Sequence, residues 1–114
     1  MRSPTPTTSD LLHGTLDALV LKTLAGGPRH GYGIARFLEE ATQGVLSIEE
    51  GSLYPSLYRM ERKDLVDAEW TTSETGRRVK VYRLTPTGRA RLRAETAAWR
   101  QFSVAISRVL LASA

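Results

Sequence analysis

Apolar residues first recur along this chain at helical spacing. Leu11, Leu12, Leu16, Leu19, Val20 and Leu24 fall broadly on one face, Thr8 or Ser9 can cap the start, and Gly26-Gly27-Pro28 ends the pattern. This predicts a first helix. Tyr32, Ile34, Phe37, Leu38 and Ala41 follow at spacings dominated by threes and fours, with Gly44 as a C-cap, and predict a shorter second helix. In the stretch EEGSLYPSLYRMERKDL, residues 49–65, Leu53, Leu57 and Met60 recur at i, i+4 and i+7 and form a stripe to be buried. Ser52, Ser56, Arg59 and Lys63 line a second face about a quarter turn away, and Arg62 lies almost opposite the stripe. Proline sets the expected start of this third helix. It costs roughly 3 kcal/mol in a helix interior and little in the first turn, so Ser52 is the preferred N-cap with Pro55 at the third helical position. A start at Ser47, with Glu50 completing a capping box, would place Pro55 inside the helix.

The period then changes. Val66, Ala68 and Trp70 alternate, as do Val79, Val81 and Arg83, and Ser73-Glu74-Thr75-Gly76 between them reads as a turn. These are two short strands of a hairpin. Thr85 followed by Pro86 supplies a cap and a proline at the first helical position, and a fourth helix runs from there to near the end. Within it Leu92, Trp99 and Ile106 are seven apart, Phe102 and Val109 are seven apart with an offset of three, and Glu95 is the one polar interruption. Nothing downstream covers this heptad seam. A second copy of the helix is its simplest partner, which makes Leu92, Trp99, Phe102, Ile106 and Val109 candidate dimerisation residues.

With 114 residues the chain is sized for one small domain, and domains of this size gain from a partner subunit that completes the core. Residues 1–8, MRSPTPTT, combine prolines with small polar residues and read as a disordered arm; residues 9–84 form the body and 85–114 the terminal helix. Cysteine is absent and there are two histidines, His13 and His30, too few for a metal cage. No nucleophile sits with a base, no loop cradles phosphate, and the paired acids Glu39-Glu40 and Glu49-Glu50 read as exposed helix-end pairs. The expectation is therefore no enzyme, no metal and no cofactor. A run of apolar residues long enough for a membrane and a signal peptide are both missing, so a cytoplasmic location is expected.

The net charge of +4 matters less than its placement. Arg77, Arg78, Lys80, Arg83, Arg89, Arg91, Arg93 and Arg100 face a single acid, Glu95, over that stretch, the footprint of a polyanion partner. Three helices, then a two-stranded hairpin, then a long helix make a mainly α fold with a small β-hairpin. That order is a winged helix-turn-helix with a C-terminal dimerisation helix. A recognition helix needs one apolar face to dock on its own domain and one cationic face for the major groove, and residues 52–63 supply both. Its N-terminus would also bring free backbone N–H groups to phosphates.

The runs GTLDALVLKTLAGGPRHGYGIARFLEE, GSLYPSLYRMERKDLV and GRRVKVYRLTPTGRARL, in this order, resemble the PadR family of bacterial transcriptional regulators over about Leu12 to Leu92. The single terminal helix resembles the short-tailed branch of that family. The resemblance implies a homodimeric repressor lying across a palindromic site in double-stranded operator DNA. It implies that Ser52, Tyr54, Tyr58 and Arg59 face DNA; Ser56, Arg62 and Lys63 join them as DNA-binding candidates from their place on the polar side of the helix. The hairpin tip becomes the wing, with Arg77, Arg78 and Lys80 as its basic motif; here Val79 follows Gly76-Arg77-Arg78, a small departure from the family's usual tip. His30, by contrast, reads as a cap or packing residue and Tyr32 as helix packing.

Trp99 carries two readings. At a heptad core position beside Phe102 it is a dimer contact; in some family members a tryptophan on this helix and its symmetry mate stack flat aromatic compounds. The resemblance thus implies a possible planar aromatic or phenolic effector, with Trp99 lined by Leu12, Leu16 and Phe102. The rival from a different class is a winged helix used as a protein interaction module without specific DNA binding. Apolar or acidic residues at positions 59, 77, 78 and 80 would mark that version, and this chain has Arg59, Arg77, Arg78 and Lys80 there.

Overall fold

A computed structural model describes residues 15–113 of the chain. The expected arm, the Thr8 or Ser9 cap, and Leu11, Leu12 and His13 lie outside these residues. Helix α1 spans Leu16–Ala25, strand β1 Arg29–His30, helix α2 Gly31–Ala41, helix α3 Glu50–Arg62, strands β2 and β3 Val66–Thr72 and Arg78–Leu84, and helix α4 Pro86–Leu110. All three strands are antiparallel, in the order β1-β3-β2. The architecture is the winged helix-turn-helix with a long terminal helix.

The core lies where the apolar stripes of the first three helices converge on one face of the sheet. Val20, Leu21 and Leu24 of α1 meet Ile34 and Leu38 of α2, Leu53, Leu57 and Met60 of α3, and Leu65, Val66 and Tyr82 of the sheet region. Burying side chains of this size stabilises by about 1.5 to 3 kcal/mol each, and the stripe predicted on α3 is among the most buried parts of the protein. Inside this core Tyr82 is held with its phenol pKa raised, because burial disfavours the phenolate; the Lys80 ammonium partly opposes the shift.

Three local expectations change. Helix α3 begins at Glu50 with Glu49 as its N-cap, between the two starts considered, so Pro55 sits in the second turn. The carbonyl of Glu49 accepts from Ser52 N–H at 3.0 Å and Leu53 N–H at 2.9 Å, which fixes the first turn before the proline is reached. Pro55 removes the bond that the Gly51 carbonyl would accept, and both residues are exposed, where water can replace it. The strand phase of β3 also differs from the alternation of Val79, Val81 and Arg83. Leu84, Tyr82 and Lys80 pair with Val66, Ala68 and Trp70, so the inward residues are Tyr82 and Leu84, while Arg83 lies on the outer face opposite Asp67. The hairpin is joined by a third strand, β1, whose two residues pair with Val81 and Tyr82 and are too short to show a period.

His30 caps α2, its Nδ1 accepting from Gly33 N–H at 3.1 Å. Thr85 caps α4 by accepting from Gly88 N–H at 2.8 Å, with Pro86 in the first turn as expected. Gly88 is where α4 crosses the end of α3's connector: a Cβ there would stand 1.9 Å from the Leu65 carbonyl oxygen. Only glycine fits this crossing. Leu92, expected in the dimer seam, is partly buried against the core of its own chain, where α4 packs on α1.

Candidate nucleic-acid interface

Helix α3 is held by its apolar face, and this decides what its other positions can do. Pro55, Tyr58 and Arg62 stand opposite the buried stripe and form the outward ridge. Tyr58 is 61% exposed, and the Arg62 guanidinium lies 5.7 Å from its ring centroid and donates to its hydroxyl at 3.4 Å. On the flank facing α1, Arg59 donates to Asp17 Oδ1 at 3.1 Å. On the flank facing α2, the Tyr54 ring covers Gly31, where a Cβ would meet its hydroxyl oxygen at 2.3 Å. Gly31 permits this approach, whereas Gly33 has only ordinary contacts. Ser52 and Lys63 remain exposed at the two ends of the helix.

Ser56 corrects the sequence reading. It was expected on the DNA-facing surface, but it is fully buried and its hydroxyl donates to Asp17 Oδ1. The position lies between the stripe and the Arg59 flank, and the first turn of α1 closes over it. Buried hydroxyls require such a partner. Tyr32 corrects the reading in the opposite direction: expected in helix packing, it is mostly exposed, stacked with His30 and approached by Arg36, which also bonds Glu40. The start of α3 changes as well, since Glu49 and Glu50 put negative charge beside the amide groups expected to meet phosphate.

The wing follows from a tight turn. Gly76 takes a φ of 86°, its N–H donates to Ser73 O at 2.9 Å, and Ser73 N–H donates to Arg77 O at 2.7 Å. Arg77 is exposed at the tip, and Arg78 lies 5.3 Å from the ring centroid of the exposed Trp70. Lys80, assigned to the same basic motif, points back to α3, where it pairs with Glu61 at 3.2 Å and lies over Tyr82. The run of cations is thus divided by tertiary contacts. Arg83 bonds Glu69 and Asp67, which raise its pKa, Arg91 pairs with Glu95, and no ion pair reaches Arg77, Arg78, Arg89, Arg93 or Arg100 among the described residues.

Sequence reasoning missed Asp17 and Trp70. Asp17 is ordinary in the first turn of a helix, where the dipole favours an acid, and nothing in its neighbours reveals that it meets α3. Trp70 reads as one apolar member of an alternating strand. No group of three or more His, Cys, Asp or Glu side chains that could hold a metal occurs among the described residues. Nor is any helix among them long and apolar enough to cross a membrane.

A three-helix body whose third helix presents Tyr58, Arg59 and Arg62, beside a wing carrying Arg77 and Arg78, can be compared with known proteins. The profile of the "Transcriptional regulator PadR-like family" matches residues 20–94. This chain belongs to the PadR-like family. An uncharacterized protein of Lysinibacillus sphaericus is 32% identical over 84 residues, covering 74% of this chain and 77% of its own length. The structure of a transcriptional regulator from Clostridium thermocellum superposes with a TM-score of 0.81 at 26% identity, covering 89% of this chain and 98% of that one. Bacillus subtilis PadR, solved in complex with operator DNA, matches at 25% identity with a TM-score of 0.64; the match covers 70% of this chain and 46% of that longer protein. As a family member the chain is a DNA-binding transcriptional regulator and not an enzyme.

Proposed function

We propose that the chain is a homodimeric repressor that binds operator DNA with α3 in the major groove and the β2–β3 wing on the adjacent backbone. The observation that carries this reading is the division of α3 into a buried stripe and an exposed face. Leu53, Ser56, Leu57 and Met60 are inaccessible, so Tyr58, Arg59 and Arg62 are the side chains left to meet a groove, flanked by Ser52, Tyr54 and Lys63. Arg77 and Arg78 supply phosphate contacts from the wing, where they would fix register without reading sequence. The proximity of Lys80 to Glu61 assigns it to holding the wing against α3.

The dimer is supported by the outer half of α4. Among the described residues Trp99 and Phe102 are 52% and 59% exposed, Ile106, Val109 and Leu110 continue the apolar surface, and the Trp99 and Phe102 rings stand 6.1 Å apart. A second α4 covers such a stripe by symmetry and sets the spacing of the two recognition helices at about one DNA turn or a multiple of it. The exposed face of Trp99, with the Phe102 ring tilted 46° beside it, is where a planar aromatic effector would stack and shift that spacing. Leu16 lies partly buried against the core, and Leu12 falls outside the described residues.

The test begins by selecting duplexes from a randomised pool with the full chain, then measuring anisotropy titrations of the selected and a scrambled duplex. Arg59→Ala should lower discrimination by about 1 to 3 kcal/mol, and Arg78→Ala should weaken both duplexes alike and reduce the salt slope by about one. Arg59→Ala with unchanged affinity and discrimination would remove that residue from base reading. Quenching of Trp99 by planar phenolic compounds, absent in Trp99→Phe with Trp70 retained, tests the effector.

A further inference from the structure

We infer that Asp17 is a specificity-determining residue that acts through Arg59. The inference rests on the operator-binding reading above and concerns how α3 separates a cognate site from other DNA. Two donors meet at one carboxylate oxygen. Ser56, fully buried, donates to Asp17 Oδ1, and Arg59 Nη2 donates to the same atom at 3.1 Å. The donors lie 39 and 42 residues from Asp17 in sequence, so α1 and α3 are linked here by polar contacts beside their apolar packing.

The division of labour follows from exposure. Ser56 fixes the carboxylate from inside the protein, where its hydroxyl has no route to water. Arg59 is about half exposed and has five N–H donors, of which Asp17 takes one. A guanidinium tethered through one Nη2 hydrogen bond keeps four N–H donors for another partner, and a bidentate base contact needs two of them. Holding the long side chain before binding reduces the rotamer freedom lost on docking. The negative charge has a second effect. Asp17 lies beside the surface offered to DNA and repels phosphates, so Arg59 cannot act as a loose cation for whatever backbone passes. Orientation favours the correct base and repulsion disfavours the rest; both raise the ratio of specific to non-specific affinity.

Asp17→Asn removes the charge and keeps an acceptor for Ser56. In the anisotropy assay this variant should bind the scrambled duplex about 3-fold to 10-fold more tightly, and its salt slope should steepen by about one as Arg59 turns to phosphate. Its discrimination between selected and scrambled duplexes should fall about tenfold. In an Arg59→Ala background, Asp17→Asn should leave discrimination unchanged, which a merely structural role for Asp17 would not produce. On the free wild-type protein, NMR of the arginine side chains should show Arg59 Nε–H more ordered than that of Arg77. Equal weakening on both duplexes, or an Arg59 as mobile as Arg77, overturns the inference. A wild type that discriminates while Asp17→Asn discriminates equally well overturns the inference alone. A wild type that binds all duplexes alike overturns the operator-binding reading and this inference with it.

Discussion

The stripe on α3 and the stripe on the outer half of α4 use the same kinds of residue at related helical spacings. Leu53, Leu57 and Met60 are almost inaccessible, because α1, α2 and the sheet all lie against them. Trp99, Phe102, Ile106 and Val109 are exposed among the described residues, whereas Leu92 and Gly88, in the first half of α4, lie against the body. The first stripe is covered within one chain, and the second stays exposed among the described residues. An apolar pattern therefore states that a face must be covered, and the path of the chain states by what.

Substitutions on the two stripes should separate these cases. Leu57→Ala leaves a cavity at the most enclosed point of α3 and should lower stability by about 2 to 5 kcal/mol, read by urea unfolding, with a loss independent of protein concentration. Next in size is Gly88→Ala. Its methyl group would collide with the Leu65 carbonyl, and displacing backbone there should cost about 1 to 3 kcal/mol and shift the direction of α4. Ile106→Asp should leave far-ultraviolet circular dichroism of the body intact and halve the mass seen by sedimentation. Melting of the native protein should depend on concentration and that of Ile106→Asp should not. If Ile106→Asp remained a dimer, the second stripe would not be the dimer surface and the contrast with α3 would need another explanation.

A smaller effect sharpens the comparison from the buried side. The Tyr82 phenol is raised above its ordinary value by burial, so the folded state holds its proton longer than the unfolded chain does. Its contribution is complete below about pH 10, the value for an unfolded tyrosine, and is lost as pH rises through the folded value. Tyr82→Phe should therefore flatten the alkaline side of a stability-versus-pH curve, with little change at neutral pH. An unchanged alkaline limb would show that Tyr82 does not titrate in folding.

Much of the fold was legible because its elements obey local rules. Leu53, Leu57 and Met60 declare a helical face by spacing, Thr85 with Pro86 declares a helix start, and the glycine turn at residue 76 declares a hairpin. The two-residue β1 was not legible, since two residues have no period. The start of α3 lies ahead of the one that Pro55 suggests, because a proline costs little where the freed carbonyl can meet water. The phase of β3 was obscured because Val79, Val81 and Arg83 alternate as convincingly as Tyr82 and Leu84, and only the pairing register chooses between them.

The candidate interface divides along the same line. By itself the sequence determined that α3 carries an apolar face and a cationic one, that a basic tip follows it, and that the final helix has an apolar seam. These follow from periodicity and charge, which depend on neighbours three or four residues away. Only the tertiary structure decided which polar side chains remain exposed and unpaired by their own chain among the described residues. Ser56 is withdrawn and Arg59 is held by Asp17, Lys80 is turned to Glu61, and Leu92 packs, partly buried, against its own core. A side chain's partner depends on what the folded chain brings within a few ångströms, and for Ser56 and Arg59 that atom belongs to a residue about forty positions away.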